Sequence, residues 1–142
     1  MKKANIDFYF EGVEIGDFPE MEIRDWVVRV ILSEGGKPGD ISYIFCDDEY
    51  LLQLNLQYLQ HDFLTDIITF DYGEETGLVS GDIFISIDRV KENATELNLS
   101  FDEELKRVII HGVLHLLGFK DKEPAEEELM RLKENYYLTL QA

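Results

Sequence analysis

His111-Gly112-Val113-Leu114-His115-Leu116-Leu117-Gly118-Phe119-Lys120-Asp121 reads H-G-x-x-H-x-x-G-x-x-D. On a helix, residues i and i+4 share a face, with Cβ atoms about 5–6 Å apart. That spacing lets His111 and His115 reach one metal ion. Gly118 can take a left-handed backbone conformation and reverse the chain. Asp121 then approaches the same ion from the other side. Three protein ligands with an open fourth position describe a catalytic rather than a structural zinc site. The same stretch decides the fold. Val108, Ile109, Ile110, Val113, Leu114, Leu116 and Leu117 make this helix apolar nearly all round, so it must be buried. A buried imidazole needs partners for its ring nitrogens, and two of the chain's three histidines lie here.

Three other assignments compete. The histidines could be core residues hydrogen-bonded to backbone or side chains. Their pairing, followed by a glycine and a third ligand type, favours the metal site. Asp121 could instead cap the next helix, for which Glu123-Pro124-Ala125-Glu126 is a start signal with proline in the first turn and acids at the positive dipole end. Its distance from Gly118 suits the turn-back geometry and favours ligation. His61, in Leu59-Gln60-His61-Asp62, is the rival third ligand.

Outward from this helix, the expected elements are short and regular. Ile6 to Phe10 predicts a strand with Ile6, Phe8 and Phe10 on one face. Residues 19 to 33 predict an amphipathic helix through Ile23, Trp26, Val27, Val30 and Ile31, ended by Gly35-Gly36. A strand follows at Ile41–Cys46, then a helix from Asp47 to Leu59 capped by Asp47 or Asp48. Asp66–Tyr72 and Gly81–Ser86 are strands around a loop at 73–77, antiparallel if adjacent. Three helices complete the chain: Ile87–Leu97, the histidine helix opened by a capping box at Ser100-Phe101-Asp102-Glu103, and Pro124–Leu140 with Leu129, Leu132, Tyr136 and Leu140 along one stripe. A strand–helix–strand unit followed by a run of helices predicts an α+β fold with a small mixed four-stranded sheet and about five helices.

Composition sets the outer bounds. At 142 residues, one domain over 1–142 is expected. The single cysteine, Cys46, excludes an intramolecular disulfide. The start lacks an apolar signal-peptide core, and no run is long enough to span a membrane, so the expected location is cytoplasmic with no membrane partner. The net charge of −17 is shared by both halves of the chain. It argues against tight nonspecific binding to a nucleic-acid duplex and suits docking on a basic protein.

A zinc ion with three protein ligands lowers the pKa of bound water to about 7 and acts as a Lewis acid, which suits hydrolysis of an amide, ester or phosphodiester. Metzincin peptidases share the spacing, as H-E-x-x-H-x-x-G-x-x-H. Gly112 stands where they carry the glutamate base, so the peptidase assignment loses its proton acceptor.

The segment from His111 to Asp121 resembles the signature of the YbeY family, single-strand-specific endoribonucleases of ribosomal RNA maturation, H-G-x-x-H-x-x-G-x-D-H. Leu54-Asn55-Leu56-Gln57-Tyr58, Thr65-Asp66-Ile67-Ile68-Thr69-Phe70 and Gly81-Asp82-Ile83-Phe84-Ile85 fall in the order and spacing of that family's other segments. The resemblance implies a small mixed sheet carrying helices, a zinc ion (nickel or another divalent metal being an alternative), and action in 16S rRNA 3′ end maturation and ribosome quality control. Two departures stand out. Asp121 replaces the family's third histidine and Lys120 its aspartate. A carboxylate ligand makes the metal a weaker Lewis acid, and the lysine restores a positive charge nearby. Leu59 replaces the arginine that commonly follows the tyrosine, so phosphate contact passes to Lys120, Lys122 or a lysine elsewhere.

Three functions follow. The first is a metal-dependent endoribonuclease with His111, His115 and Asp121 as ligands, Lys120 as a phosphate contact, and Tyr72 and Phe119 as candidate stacking platforms for single-stranded RNA. The ribosome or a basic ribosomal protein would be its partner. The second is a non-catalytic, metal-stabilised ribosome assembly factor, which Leu59 and Asp121 favour. The third is a metallopeptidase.

Overall fold

A computed structural model describes residues 5–60, 64–73 and 78–140. Strand β1 (Asn5–Phe10) passes through helix α1 (Glu20–Ser33) to strand β2 (Lys37–Cys46), which pairs parallel to it. Strand β4 (Leu78–Ser86) lies parallel on the other side of β2, and β3 (Ile67–Asp71) closes the sheet antiparallel to β4, in the order β1-β2-β4-β3. The other described helices are α2 (Asp48–Leu54), continued by a π-helical turn at Asn55–Leu59, then α3 (Ile87–Leu97), α4 (Phe101–Leu116) and α5 (Pro124–Thr139). This is the mixed, four-stranded α+β fold with five helices that the sequence predicts. No helix among the described residues is long and apolar enough to cross a membrane.

Alternation along the strands separates two apolar layers. Ile41, Tyr43, Phe45, Ile83 and Ile85 face the main core, where α1 and α4 cover the sheet. Cys46, Ile68, Phe70 and Phe84 face the other way, under α2. The predicted face of α1 is the buried one: Ile23, Trp26, Val27, Val30 and Ile31. The start of α4 carries the predicted reciprocal box, in which the Ser100 hydroxyl accepts from the Glu103 N–H and the Glu103 carboxylate accepts from the Ser100 N–H. Asp47 caps α2 by accepting from the Tyr50 N–H at 2.9 Å.

Four expectations need correction. Strand β2 begins at Lys37 rather than Ile41, and β4 at Leu78 rather than Gly81, because Lys37 and Pro38 pair with Leu78 and Val79 before a bulge resets the register at Ile41. A lysine, a proline and a glycine hide the β2 start from any alternation test. The helix expected over 47–59 widens at the buried Asn55 into its π turn and stops at Gln60, whose φ is 56°. The α5 stripe is the larger correction. Leu129, Leu132, Tyr136 and Leu140 are exposed, Leu132 to 60%. The buried face carries Met130, Glu134 and Tyr137 instead. Polar anchors set that rotation. The Trp26 indole donates to the Tyr137 carbonyl at 3.0 Å, the Tyr137 hydroxyl donates to Glu34, and Lys133 pairs with Glu34 at 3.0 Å.

Helix α4 is driven into the sheet at Gly112. A Cβ there would lie 2.8 Å from Ile83 Cγ2 and 3.0 Å from Ile67 Cδ1. Gly112→Ala is therefore expected to destabilise. Alanine gains about 1 kcal/mol of helix propensity, but overpacking between two β-branched core residues costs about 1–3 kcal/mol. The check is the urea midpoint, which should fall. A midpoint at or above that of the parent chain would show that the sheet yields without cost.

Candidate metal centre

Nine of the sixteen residues of α4 are buried, and among them Ile109, Ile110, Val113 and Leu114 are fully enclosed. The Tyr43 hydroxyl, itself buried, donates to the Ile109 carbonyl at 3.0 Å and ties the helix to β2. This anchoring turns His111 and His115 to a partly open edge, where their rings meet at 77° with centroids 4.6 Å apart. The helix then ends as predicted at Gly118, whose φ is 105°. The Phe119 N–H donates to the Leu114 carbonyl and the Gly118 N–H to the His115 carbonyl, both at 3.0 Å. These are the paired bonds of a Schellman ending, which a residue with a Cβ reaches only under strain. The reversed chain brings Asp121 back over the histidines.

The three atoms converge. His111 Nε2 and His115 Nε2 are 3.0 Å apart, and Asp121 Oδ2 lies 3.3 Å from the first and 3.4 Å from the second. Bonds of about 2.0–2.2 Å in a tetrahedron separate ligand atoms by about 3.3–3.6 Å. The two edges to Asp121 fall in that range, and the edge between the histidines is shorter by about 0.3 Å. The tautomers agree. Glu134 Oε2 lies 2.6 Å from His111 Nδ1, so that nitrogen carries the proton and Nε2 offers a lone pair. His115 hydrogen-bonds the Phe119 backbone while its Nε2 faces the cluster, leaving a lone pair there as well. Two imidazole lone pairs and a carboxylate oxygen then share one point, and a cation satisfies all three. These are the described histidine and acidic residues whose atoms group in this way. Burial and the neighbouring His111 lower the pKa of His115, against the opposing pull of Asp121, which keeps this imidazole neutral at neutral pH.

Behind His111 stands a buried ionic network that the sequence reading missed. Glu134, only 2% exposed, accepts from His111 through Oε2 and from Arg107 through Oε1, the latter at 3.1 Å. Arg107 also forms a two-pronged pair with the fully buried Glu104, its Nε 2.7 Å from Oε1. Burial opposes the charge on Glu134, but the hydrogen bond from His111, followed by the charge and hydrogen bond of Arg107, holds its pKa below the ordinary glutamate value. Burial likewise opposes the charge on Arg107, and the two carboxylates outweigh it. An outer carboxylate on a ligand histidine fixes its tautomer, ring angle and basicity. The available signal was the spacing of Glu134, which shares the i, i+4 and i+7 face of Met130 and Tyr137. Asp66 has a pKa raised mainly by burial and accepts from Asn93 at 3.2 Å.

The other predicted positions divide. Asp121 does not cap α5; Glu123 does, reciprocally with Glu126. Lys120 and Lys122 are exposed on the turn. Leu59 is exposed on the π turn. Tyr72 is exposed and donates to Asp82 at 3.1 Å. Phe119 is half-buried with the Lys133 ammonium 5.4 Å from its ring centre, so that face is already covered. His61 lies outside the described residues.

Residues 13–141 match the family model described as endoribonuclease YbeY. The endoribonuclease YbeY of Flavobacterium johnsoniae is 54% identical over 132 residues, covering 92% of each chain. That of Christiangramia forsetii is 52% identical over 143 residues, covering 99% of this chain and 96% of its own. A solution structure from Thermotoga maritima superposes with a TM-score of 0.68 at 30% identity, over 94% of this chain and 86% of its own. With its match running through the histidine helix, the Schellman turn and α5, the chain belongs to the endoribonuclease YbeY family.

Proposed function

We propose that this chain is a metal-dependent endoribonuclease acting on single-stranded RNA, with His111, His115 and Asp121 holding one divalent ion. The observation that carries this is the convergence of two imidazole lone pairs and a carboxylate oxygen within 3.4 Å, in a chain 54% identical to a protein named as an endoribonuclease. A two-nitrogen, one-oxygen set suits zinc, and nickel and other divalent ions bind such donors as well. Such an ion supplies Lewis acidity toward a phosphodiester and lowers the pKa of water at the centre. The chain's own residues do the rest. Glu134 holds the His111 ring by its Nδ1 proton, the Phe119 backbone holds His115, and the Gly118 turn sets Asp121.

The substrate proposed is ribosomal RNA, at the 3′ end of the 16S species, reached with help from the ribosome or a basic ribosomal protein. The net charge of −17 supports that arrangement, because few cations are present to hold RNA unaided. The peptidase alternative is weaker. The position that would carry its base, Gly112, faces Ile67 and Ile83 in the sheet. The test is cleavage of a labelled single-stranded RNA and of the same strand annealed to its complement. Metal-loaded protein should cut only the single strand, lose activity in chelator and regain it on zinc addition. Cleavage that persists in chelator would remove the metal from the reaction.

A further inference from the structure

We infer that Arg131 contacts a backbone phosphate of the RNA strand beside the metal centre, an assignment that rests on the endoribonuclease reading. A cleft of about 220 Å³ runs along α4 and α5, and His111, Asp121, Arg107, Glu127 and Arg131 are among its walls. The two guanidiniums in it differ. Arg107 is committed to Glu104 and Glu134. Arg131 is exposed and makes no ion pair with any described residue, although Glu127, Glu128 and Glu134 stand at i−4, i−3 and i+3. Acidic residues outnumber basic ones 30 to 13 here. An arginine that pairs with none of the described acids and lines the cleft of the His111 and Asp121 cluster offers its fork of donors to an anion. That fork matches two phosphate oxygens at once. Placed there, it holds the strand so that a neighbouring phosphodiester lies over His111 and Asp121, and it balances charge on the transferring group.

The test uses the full chain and a short fluorescein-labelled single-stranded RNA. Binding is followed by anisotropy in EDTA over a salt series, and cleavage is followed in zinc. Arg131→Gln is expected to weaken binding about tenfold, as for a lost charged hydrogen bond, and to flatten the log K against log salt slope by about 0.7. Its kcat/KM should fall at least as far, and Arg131→Lys should restore part of both. Arg29→Gln, at an exposed arginine of α1 outside this cleft, should match the parent chain. An exposed helix position tolerates the change without unfolding. Arg131→Gln binding and cutting like the parent chain, with the same salt slope, would overturn the assignment. If the parent chain binds with the expected slope but no divalent ion supports cutting, the endoribonuclease reading fails and the phosphate contact stands. If the parent chain does not bind RNA, both fall.

Discussion

His115→Ala is expected to lose the metal and, with it, RNA cleavage, while the fold survives. Removing an outer-shell partner of a ligand typically costs about 10–100-fold in metal affinity or activity. Removing a ligand itself should exceed that, so a fall in cleavage of more than about 100-fold is expected. The fold should persist because His115 sits at the end of α4, partly exposed, with the Phe119 backbone as its link outside the ligand cluster. Alanine also has the higher helix propensity, by less than about 1 kcal/mol. The measurements are metal content after dialysis, cleavage rate, and the urea midpoint in chelator. Near-parental cleavage by this variant would mean that the activity belongs to a contaminant or to another centre.

Glu134→Ala is expected to damage stability and metal affinity together. It strips His111 of the acceptor that fixes its tautomer and leaves Arg107 with Glu104 alone in a buried setting. Breaking one side of a buried ionic network costs about 3–5 kcal/mol. Because Glu104 remains, a loss near about 3 kcal/mol is expected. Glu134→Gln separates the two effects. The amide keeps the volume and can still accept from His111, but it no longer balances the Arg107 charge. Its metal affinity should drop about 10–100-fold with a smaller change in the unfolding midpoint. Zinc titration and denaturation of both variants give the answer. Parental metal affinity in both would cut Glu134 out of the centre and reduce it to a structural ion pair.

The ionic network explains how a half-open edge keeps a defined geometry. Glu104 belongs to the first turn of α4, Arg107 to its second, His111 to its third, and Glu134 to α5. One chain of charge-assisted bonds therefore joins the helix start to the His111 ring and docks α5 against both. The pair of Lys133 with Glu34 and the placement of Lys133 over Phe119 tie the same helix to α1 and to the Gly118 turn. Helix α5 thus carries little of the apolar core yet holds the Gly118 turn from outside.

What the sequence by itself determined were features written in local periods. The i, i+4 histidines, the Ser100 box, the Gly118 reversal and the α1 face depend on residues within about two turns of one another, and each appears as expected. Only the tertiary structure decided the rotation of α5, the early start of β2 and the partner of His111. Each is a contact between residues far apart in the chain: Trp26 with Tyr137, Lys37 with Leu78, Glu134 with His111. A leucine stripe on α5 looks like a core face by spacing alone. Packing chose the face bearing Glu134, which pairs there with the partly buried Arg107 and with His111, and an unpaired charge in such a setting costs more than four exposed apolar side chains on the surface.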